Sequence, residues 1–183
     1  ITSLALTSDN TRFFSSSEDG IIKKWELETG NCLGNWDEQE CCINAIAVSP
    51  NDKYFVSGNT NGIIKLWDIK NKSPKEIINS RSITTVCFSP DSKSIIAGSK
   101  DNTIKFWHVK NIKLKNSFCG HQTCINTIAI SNDEKFLVSG GDNNKINIID
   151  IQEMQLFNSI TIDDCNIKSI VIYNNWIIYS SEN

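Results

Sequence analysis

The chain repeats one pattern four times, and the residues that close successive copies are 42, 40 and 42 positions apart. Those residues are Trp25, Trp67, Trp107 and Ile149. Each copy has a turn that contains Ser and Asp, a short apolar run, a second turn rich in Asn, Asp or Gly, and then the closing residue. A fixed period of this length indicates one supersecondary unit repeated along the chain, so it constrains the fold more than any single motif does.

The second copy shows which elements one unit contains. Residues 43–48 form a short apolar run, as expected of a strand packed on both faces, and 54–57 and 63–69 are rich in β-forming side chains. A Ser-Pro-Asn-Asp turn and an Asn-Gly pair separate these runs, and 76–78 is a weaker fourth strand. Four antiparallel strands in each period predict an all-β fold, a β-propeller of four-stranded antiparallel blades.

The whole chain, 1–183, is therefore predicted to be one propeller segment with four blades and part of a fifth. The blades are predicted at residues 1–36, 43–80, 83–119 and 125–162, with the partial blade at 167–183. The chain begins at Ile1 rather than at a methionine. We therefore expect the first residues of the gene product to precede Ile1, and targeting signals are not judged.

The pattern resembles the WD-repeat, or β-transducin-like, propeller family over essentially the whole chain. Trp67-Asp68 matches the dipeptide after which the family is named, and Gly120-His121 matches its other marker. The Ser-Pro turns at 49–52 and 89–91 fit the family as well. The commonest ring in this family has about seven blades, so the resemblance implies that the chain is a fragment of a larger ring of about that size.

The resemblance also implies a hydrogen-bonded set inside each blade. It joins a His before the first strand, a Ser or Thr on the second, an Asp in the next turn and the Trp of the third. The matching residues here are Ser15, Asp19, Trp25, Ser57, Trp67, Asp101, Trp107, His121 and Ser139. The set is incomplete in every copy: the His of the first copy is expected before residue 1, the third copy has no His, and other residues stand at or near its positions in the later copies, namely Gln39, Asn61, Ala97, Asn143 and Ile149. Blade stability is therefore expected to come mainly from apolar burial between neighbouring blades.

Composition excludes several classes of function. The net charge is −3 and Arg12 and Arg81 are the only arginines, whereas nucleic-acid binding usually rests on clustered Lys and Arg, so no nucleic-acid partner is expected. No apolar run approaches the ~18 residues of a membrane span. The seven cysteines are an odd number without a Cys-x-x-Cys pair, which favours a reducing, intracellular compartment, cytoplasmic or nuclear.

Catalytic and metal-binding residues are not predicted in this segment, and no cofactor is expected. The four innermost strands are predicted within 2–8, 43–49, 83–89 and 125–131, and these stretches contain no Asp, Glu, His, Lys or Arg. The run from Cys119 to Cys124 contains three N or S ligands, but a second, distant ligand pair is missing.

An acidic stretch after Trp36, in the loop between the first two blades, is the most distinctive local feature. The resemblance implies that such loops line one face of the disc, often the face that holds peptides. The residues assigned to a candidate partner-binding face are Asp37, Glu38, Glu40 and Gln122. The alternative is a solvated charged loop, with Trp36 filling the outer-strand position that Phe118 fills in the third blade.

The predicted function is a non-catalytic scaffold that presents propeller-face loops to other proteins or peptides. Two alternatives stay open. The first is a reader of basic or modified peptides, such as histone tails, through the acidic face. The second is a regulatory or targeting module of a larger polypeptide that carries an enzyme domain.

Overall fold

The computed structural model describes residues 1–38, 41–71, 74–78, 81–162, 166–174 and 176–182. Within these ranges the regular secondary structure is entirely β-strand. Sheet 1 contains β1 (Ser3–Leu6), β2 (Arg12–Ser16), β3 (Ile21–Glu26) and β4 (Cys32–Asp37). Sheet 2 contains β5 (Ile43–Val48), β6 (Tyr54–Asn59), β7 (Ile63–Asp68) and β8 (Pro74–Ile78). Sheet 3 contains β9 (Ile83–Phe88), β10 (Ser94–Ser99), β11 (Ile104–His108) and β12 (Leu114–Phe118).

The same arrangement continues to the end of the described residues. Sheet 4 contains β13 (Ile125–Ile130), β14 (Phe136–Gly141), β15 (Lys145–Asp150) and β16 (Gln155–Thr161). Sheet 5 contains β17 (Asn166–Tyr173) and β18 (Trp176–Glu182). Strands follow chain order within every sheet and each pair is antiparallel. The predicted all-β fold, with four-stranded antiparallel blades and part of a fifth, is confirmed.

The sheets stack in chain order, because the first strand of each sheet packs against the first strand of the next. Apolar side chains fill the space between neighbouring sheets. Between sheets 1 and 2, for example, Phe14 and Phe55 are fully buried with ring centroids 4.8 Å apart, and Trp36 packs 5.1 Å from Phe55. Trp36 and Phe118 are both buried on the outer strands of their sheets, as the sequence alignment of the blades predicts.

A glycine on the second strand of a sheet lies directly against an isoleucine that begins the next sheet. A Cβ added to these glycines would lie 2.4, 2.7 and 2.6 Å from the isoleucine Cγ2 atoms. The three pairs are Gly58–Ile83, Gly98–Ile125 and Gly140–Ile167. The isoleucines are 0% exposed, so the absence of a glycine side chain is what lets the sheets approach this closely.

The strand connections define two faces of the stack. Successive turns of an antiparallel sheet alternate between its ends, and the link to the next sheet leaves from the end that holds the second turn. The upper face therefore carries the turns between second and third strands and the links between sheets. The lower face carries the turns between first and second strands and between third and fourth strands.

Candidate binding face and the polar centres of the blades

Sheets 1 and 2 each contain a hydrogen bond between the Trp and the Ser of the predicted set. The indole N–H of Trp25 donates to Ser15 Oγ at 2.9 Å, and that of Trp67 donates to Ser57 Oγ at 3.0 Å. Each Ser lies on the second strand of its sheet and each Trp near the end of the third. In sheet 3, Ala97 has no hydroxyl to offer, and Trp107 packs in the apolar core with 5% of its surface exposed.

Glu38 completes the polar centre of sheet 2, a role that the sequence did not indicate. Its carboxylate accepts hydrogen bonds from Ser57 Oγ and, at 3.3 Å, from Asn59 Nδ2. Only 4% of the residue is exposed. Burial raises the pKa of Glu38 above its usual value, although Ser57 and the nearby Lys65 ammonium oppose this effect. Glu38 therefore lies inside the blade, not on the surface as the acidic-face prediction requires, because these donors compensate its desolvation.

Sheet 4 has the corresponding centre built on His121. His121 Nε2 and Ser139 Oγ are 2.6 Å apart, and the amide Nδ2 of Asn147 lies 3.3 Å from the same nitrogen. An amide NH₂ can only donate, so Nε2 accepts from Asn147 in the tautomer that carries the ring proton on Nδ1. Burial lowers the pKa of His121 to about 4, which agrees with a neutral ring. Ile149, at the Trp position, is fully buried.

The two predicted aspartates belong to turns of the upper face. Asp19 accepts hydrogen bonds from Ser17 Oγ and from the Ile21 backbone N–H at 3.0 Å. Asp101 accepts from the Thr103 backbone N–H at 3.0 Å and pairs with Lys105 at 3.1 Å. Desolvation raises the pKa of Asp101, but the hydrogen bonds and the ammonium outweigh it and hold the pKa at about 2. Both carboxylates thus stabilise the turns in which they lie.

The candidate partner-binding residues do not form one cluster. Asp37 is exposed at the end of β4, and Gln122 is exposed in the link between sheets 3 and 4. Glu38 is buried, as described above. Glu40 and Gln39 lie outside the described residues. Asp37, at the end of β4, and Gln122, in the link between sheets 3 and 4, therefore lie on the same upper face but at different sheets.

Half-buried polar side chains on the inner strands, together with the exposed Thr2 just before β1, join the sheets. In each case the side chain donates to the backbone carbonyl of an isoleucine that is the first or second residue of the first strand of the next sheet. The pairs are Thr2 to Ile43, Asn44 to Ile83 (2.7 Å), Thr84 to Ile125 and Asn126 to Ile167 (3.0 Å). In sheet 5 the corresponding residue is Lys168, which pairs with Glu182 at 2.7 Å. Neutral donors that fasten sheets are not general acids, bases or nucleophiles.

Cys119, His121 and Cys124, which the sequence places together, differ in environment: Cys119 is exposed, whereas His121 is buried against Ser139. Among the described residues, no group of three or more His, Cys, Asp or Glu side chains is arranged to hold a metal ion. The part of the chain that the structure describes also contains no helix long and apolar enough to cross a membrane.

Comparison with known families agrees with this architecture. A family model described as "WD domain, G-beta repeat" matches residues 1–26, 30–68, 73–108 and 112–150. The last three matches run from the outer strand of one sheet through the first three strands of the next. Each sequence repeat thus joins two sheets covalently. No curated protein matches the chain.

Proposed function

Because the chain belongs to the WD-repeat family, whose domains generally mediate protein–protein interactions, we propose that it is a non-catalytic scaffold for protein or peptide partners. The observation that carries this proposal is that the inner strands join neighbouring sheets through their polar side chains. The side chains of Asn44, Thr84 and Asn126 are committed to hydrogen bonds between sheets, and the inner strands β1, β5, β9 and β13 contain no Asp, Glu, His, Lys or Arg. The turns and links at the two faces are the surfaces left for recognition.

A quantitative capture experiment with face-specific variants tests the scaffold. The biotinylated chain is compared with an upper-face variant, Asp37→Lys with Gln122→Lys, and with a control, Lys113→Ala with Lys115→Ala, on exposed residues of the outer edge of sheet 3. We expect proteins that the wild type and the control both capture and the upper-face variant loses. Each is then reconstituted as a purified pair and titrated calorimetrically. If no surface variant changes the set of captured proteins, the proposal is contradicted.

The reader of basic peptides stays a prediction, and the structure narrows how it would work. Since Glu38 is buried, Asp37 and Glu40 are the carboxylates of the stretch that would have to attract a lysine-rich peptide. Titration with a fluorescent lysine-rich peptide should then weaken with added salt and with Asp37→Ala, whereas Glu38→Gln should leave it unchanged. Binding that ignores both salt and Asp37→Ala excludes this alternative.

The third possibility, a regulatory or targeting module within a larger enzyme-containing polypeptide, also stays a prediction. So does an intracellular location, which is supported by cysteines that are unpaired in the described residues. The full open reading frame tests both, because a catalytic signature or a targeting segment outside these repeats would be visible in it.

A further inference from the structure

A groove runs between sheets 2 and 3 at the lower face and encloses about 850 Å³. Its floor is apolar and its rim carries amines. The floor is formed by Tyr54, Leu66 and Val109, and the rim by Lys75, Lys93 and Lys110. We call this feature the lysine groove. Its size suits a few side chains of a peptide.

The charges around the lysine groove are predominantly positive, although the chain as a whole has a net charge of −3. Lys75 and Lys110 are exposed, and Lys93 Nζ lies 3.2 Å from Asp91 Oδ2. Asp68 is the acidic residue of the lining, and its carboxylate accepts a hydrogen bond from the Lys70 backbone N–H at 2.8 Å. Three ammonium groups therefore surround an apolar floor that holds one carboxylate already engaged with backbone.

The first turn of sheet 3, at the lysine groove, lacks a carboxylate that the first turns of sheets 2 and 4 carry. In that turn one residue at positive φ accepts a hydrogen bond from the backbone N–H of the preceding sheet's turn. Asp52 accepts from Ser8 at 2.9 Å, and Glu134 accepts from Asp91 at 2.7 Å. Between sheets 2 and 3 the same contact, at 3.2 Å, is made by the neutral Ser92.

A second carboxylate is missing at the residue after the Trp position. Asp68 and Asp150 occupy it in sheets 2 and 4, and each accepts hydrogen bonds from two backbone N–H groups of the following turn. In sheet 3 this residue is His108, which is exposed and lines the lysine groove. Two acidic positions of the repeat are thus neutral or basic at one and the same groove.

We propose that the lysine groove binds a short acidic peptide segment with a large aliphatic or aromatic side chain between its carboxylates. The apolar floor of Leu66 and Val109 receives that side chain, and the rim lysines pair with the carboxylates. A nucleic acid or an anionic membrane would also pair with the lysines, but a cavity of about 850 Å³ over the buried Leu66 and Val109 suits single side chains of a peptide. The inference rests on the proposed scaffold function, yet it concerns the lower face and is tested separately from the upper-face variants.

The sharpest test restores the carboxylates that the repeat carries elsewhere. Ser92→Glu copies Glu134, which occupies the same turn position at a φ of 58° against 60° for Ser92. His108→Asp copies Asp68 and Asp150 and adds their turn hydrogen bonds. Both changes are therefore expected to keep the fold, and His108→Asp to raise the thermal midpoint. Each should nevertheless weaken binding of an acidic peptide.

The probe is a fluorescein-labelled Glu-Asp-Leu-Leu-Asp-Glu peptide, titrated by anisotropy onto the full chain. We expect saturable binding that weakens about tenfold in the Ser92→Glu, His108→Asp double variant and in Lys75→Ala with Lys110→Ala. Lys113→Ala with Lys115→Ala removes the same charge from exposed residues outside the groove and should leave the affinity unchanged. A peptide with Gln and Asn for the acids, or Ala for the leucines, should bind at least about tenfold more weakly.

Three outcomes overturn the proposal. One is that Ser92→Glu and His108→Asp leave the affinity for the acidic peptide unchanged although these variants melt at or above the wild-type midpoint. Another is equal binding of the amide or alanine peptide. The third is groove-dependent binding of a thymidine oligonucleotide or of phosphatidylserine vesicles in preference to the acidic peptide. In any of these cases, face-specific capture through Asp37 and Gln122 can still support the scaffold.

Discussion

The contact between Gly98 and Ile125 offers the most direct test of how the sheets are held together. A Cβ at Gly98 would lie 2.7 Å from Ile125 Cγ2 and 2.8 Å from Thr85 Cγ2, distances that real Cβ atoms essentially never show. Ile125 is fully buried among Ile96, Phe106 and other core residues, so it has little room to move. Gly98→Ala should therefore push sheets 3 and 4 apart locally.

The expected size of this effect follows from two opposing contributions. Overpacking a filled core costs about 1–3 kcal/mol. Removing a glycine also restricts the unfolded chain, which returns about 0.4–1 kcal/mol. The net loss of unfolding free energy for Gly98→Ala is then about 1–2 kcal/mol, which for a domain of this size lowers the melting temperature by about 2–8 °C.

Gly34→Ala is the matched control, because no heavy atom lies within 4 Å of a Cβ built on Gly34 and its φ is not positive. Gly34 lies on the outer strand β4, so the added methyl should leave stability unchanged or raise it slightly. Urea unfolding and thermal melts followed by circular dichroism measure both variants. Equal midpoints for Gly98→Ala and Gly34→Ala, with unchanged denaturant slopes, would refute the close-packing argument.

Three further predictions concern the polar centres. The pKa of His121 is about 4 in the folded chain against 6.5 when unfolded, so the unfolded state binds the proton more tightly. The free energy of unfolding should therefore fall by up to about 3 kcal/mol as pH drops from 6.5 to 4. A similar decline in His121→Gln would contradict this. Glu38 has a raised pKa when folded, so the folded state binds its proton more tightly and stability should change with pH in the opposite direction. In paired urea titrations the wild type should lose stability relative to Glu38→Gln as pH rises above 4.5, and a difference that does not change with pH would exclude this prediction. Ser57→Ala removes two hydrogen bonds, those of the Ser57 hydroxyl with Glu38 and with the Trp67 N–H, and should cost about 1–3 kcal/mol. This is more than Ser15→Ala, which removes one hydrogen bond, and equal urea midpoints would count against it.

The blades could be predicted from the sequence because their signals are local and repeated. The predicted strand at 43–48 matches β5, and the partial blade predicted at 167–183 corresponds to β17 and β18. Side chains that alternate with a period of two, and turn residues at fixed offsets, are enough to assign such strands. Because four copies agree, the assignment is clearer than any single copy would allow.

The polar centre of sheet 2 could not be predicted in the same way. His121 precedes Ser139 by 18 residues, and the same offset before Ser57 falls on Gln39. In the structure Glu38, one residue earlier, enters the blade instead. The acidic residues of this stretch suggested a surface loop. Whether Glu38 or Gln39 enters the blade depends on a shift of one residue in the link between sheets, and strand periodicity does not reveal such a shift. Only the structure shows that the donors Ser57 and Asn59 meet at one point and allow the Glu38 carboxylate to be buried between them.

The contrast between shared and divergent positions indicates where this chain differs from a generic stack of blades. The shared positions, such as the glycine against the next isoleucine and the neutral donors from Asn44 to Asn126, join sheet to sheet. In the first four sheets a charge at these positions would have to be desolvated against the next sheet, which explains why they stay neutral there, whereas sheet 5 has Lys168 at the corresponding position. Two divergent positions, Ser92 in a turn and His108 at the end of β11, replace acids without disturbing the stack. Selection for a partner can therefore act on those residues at little cost in stability, and the lysine groove is where two such replacements meet.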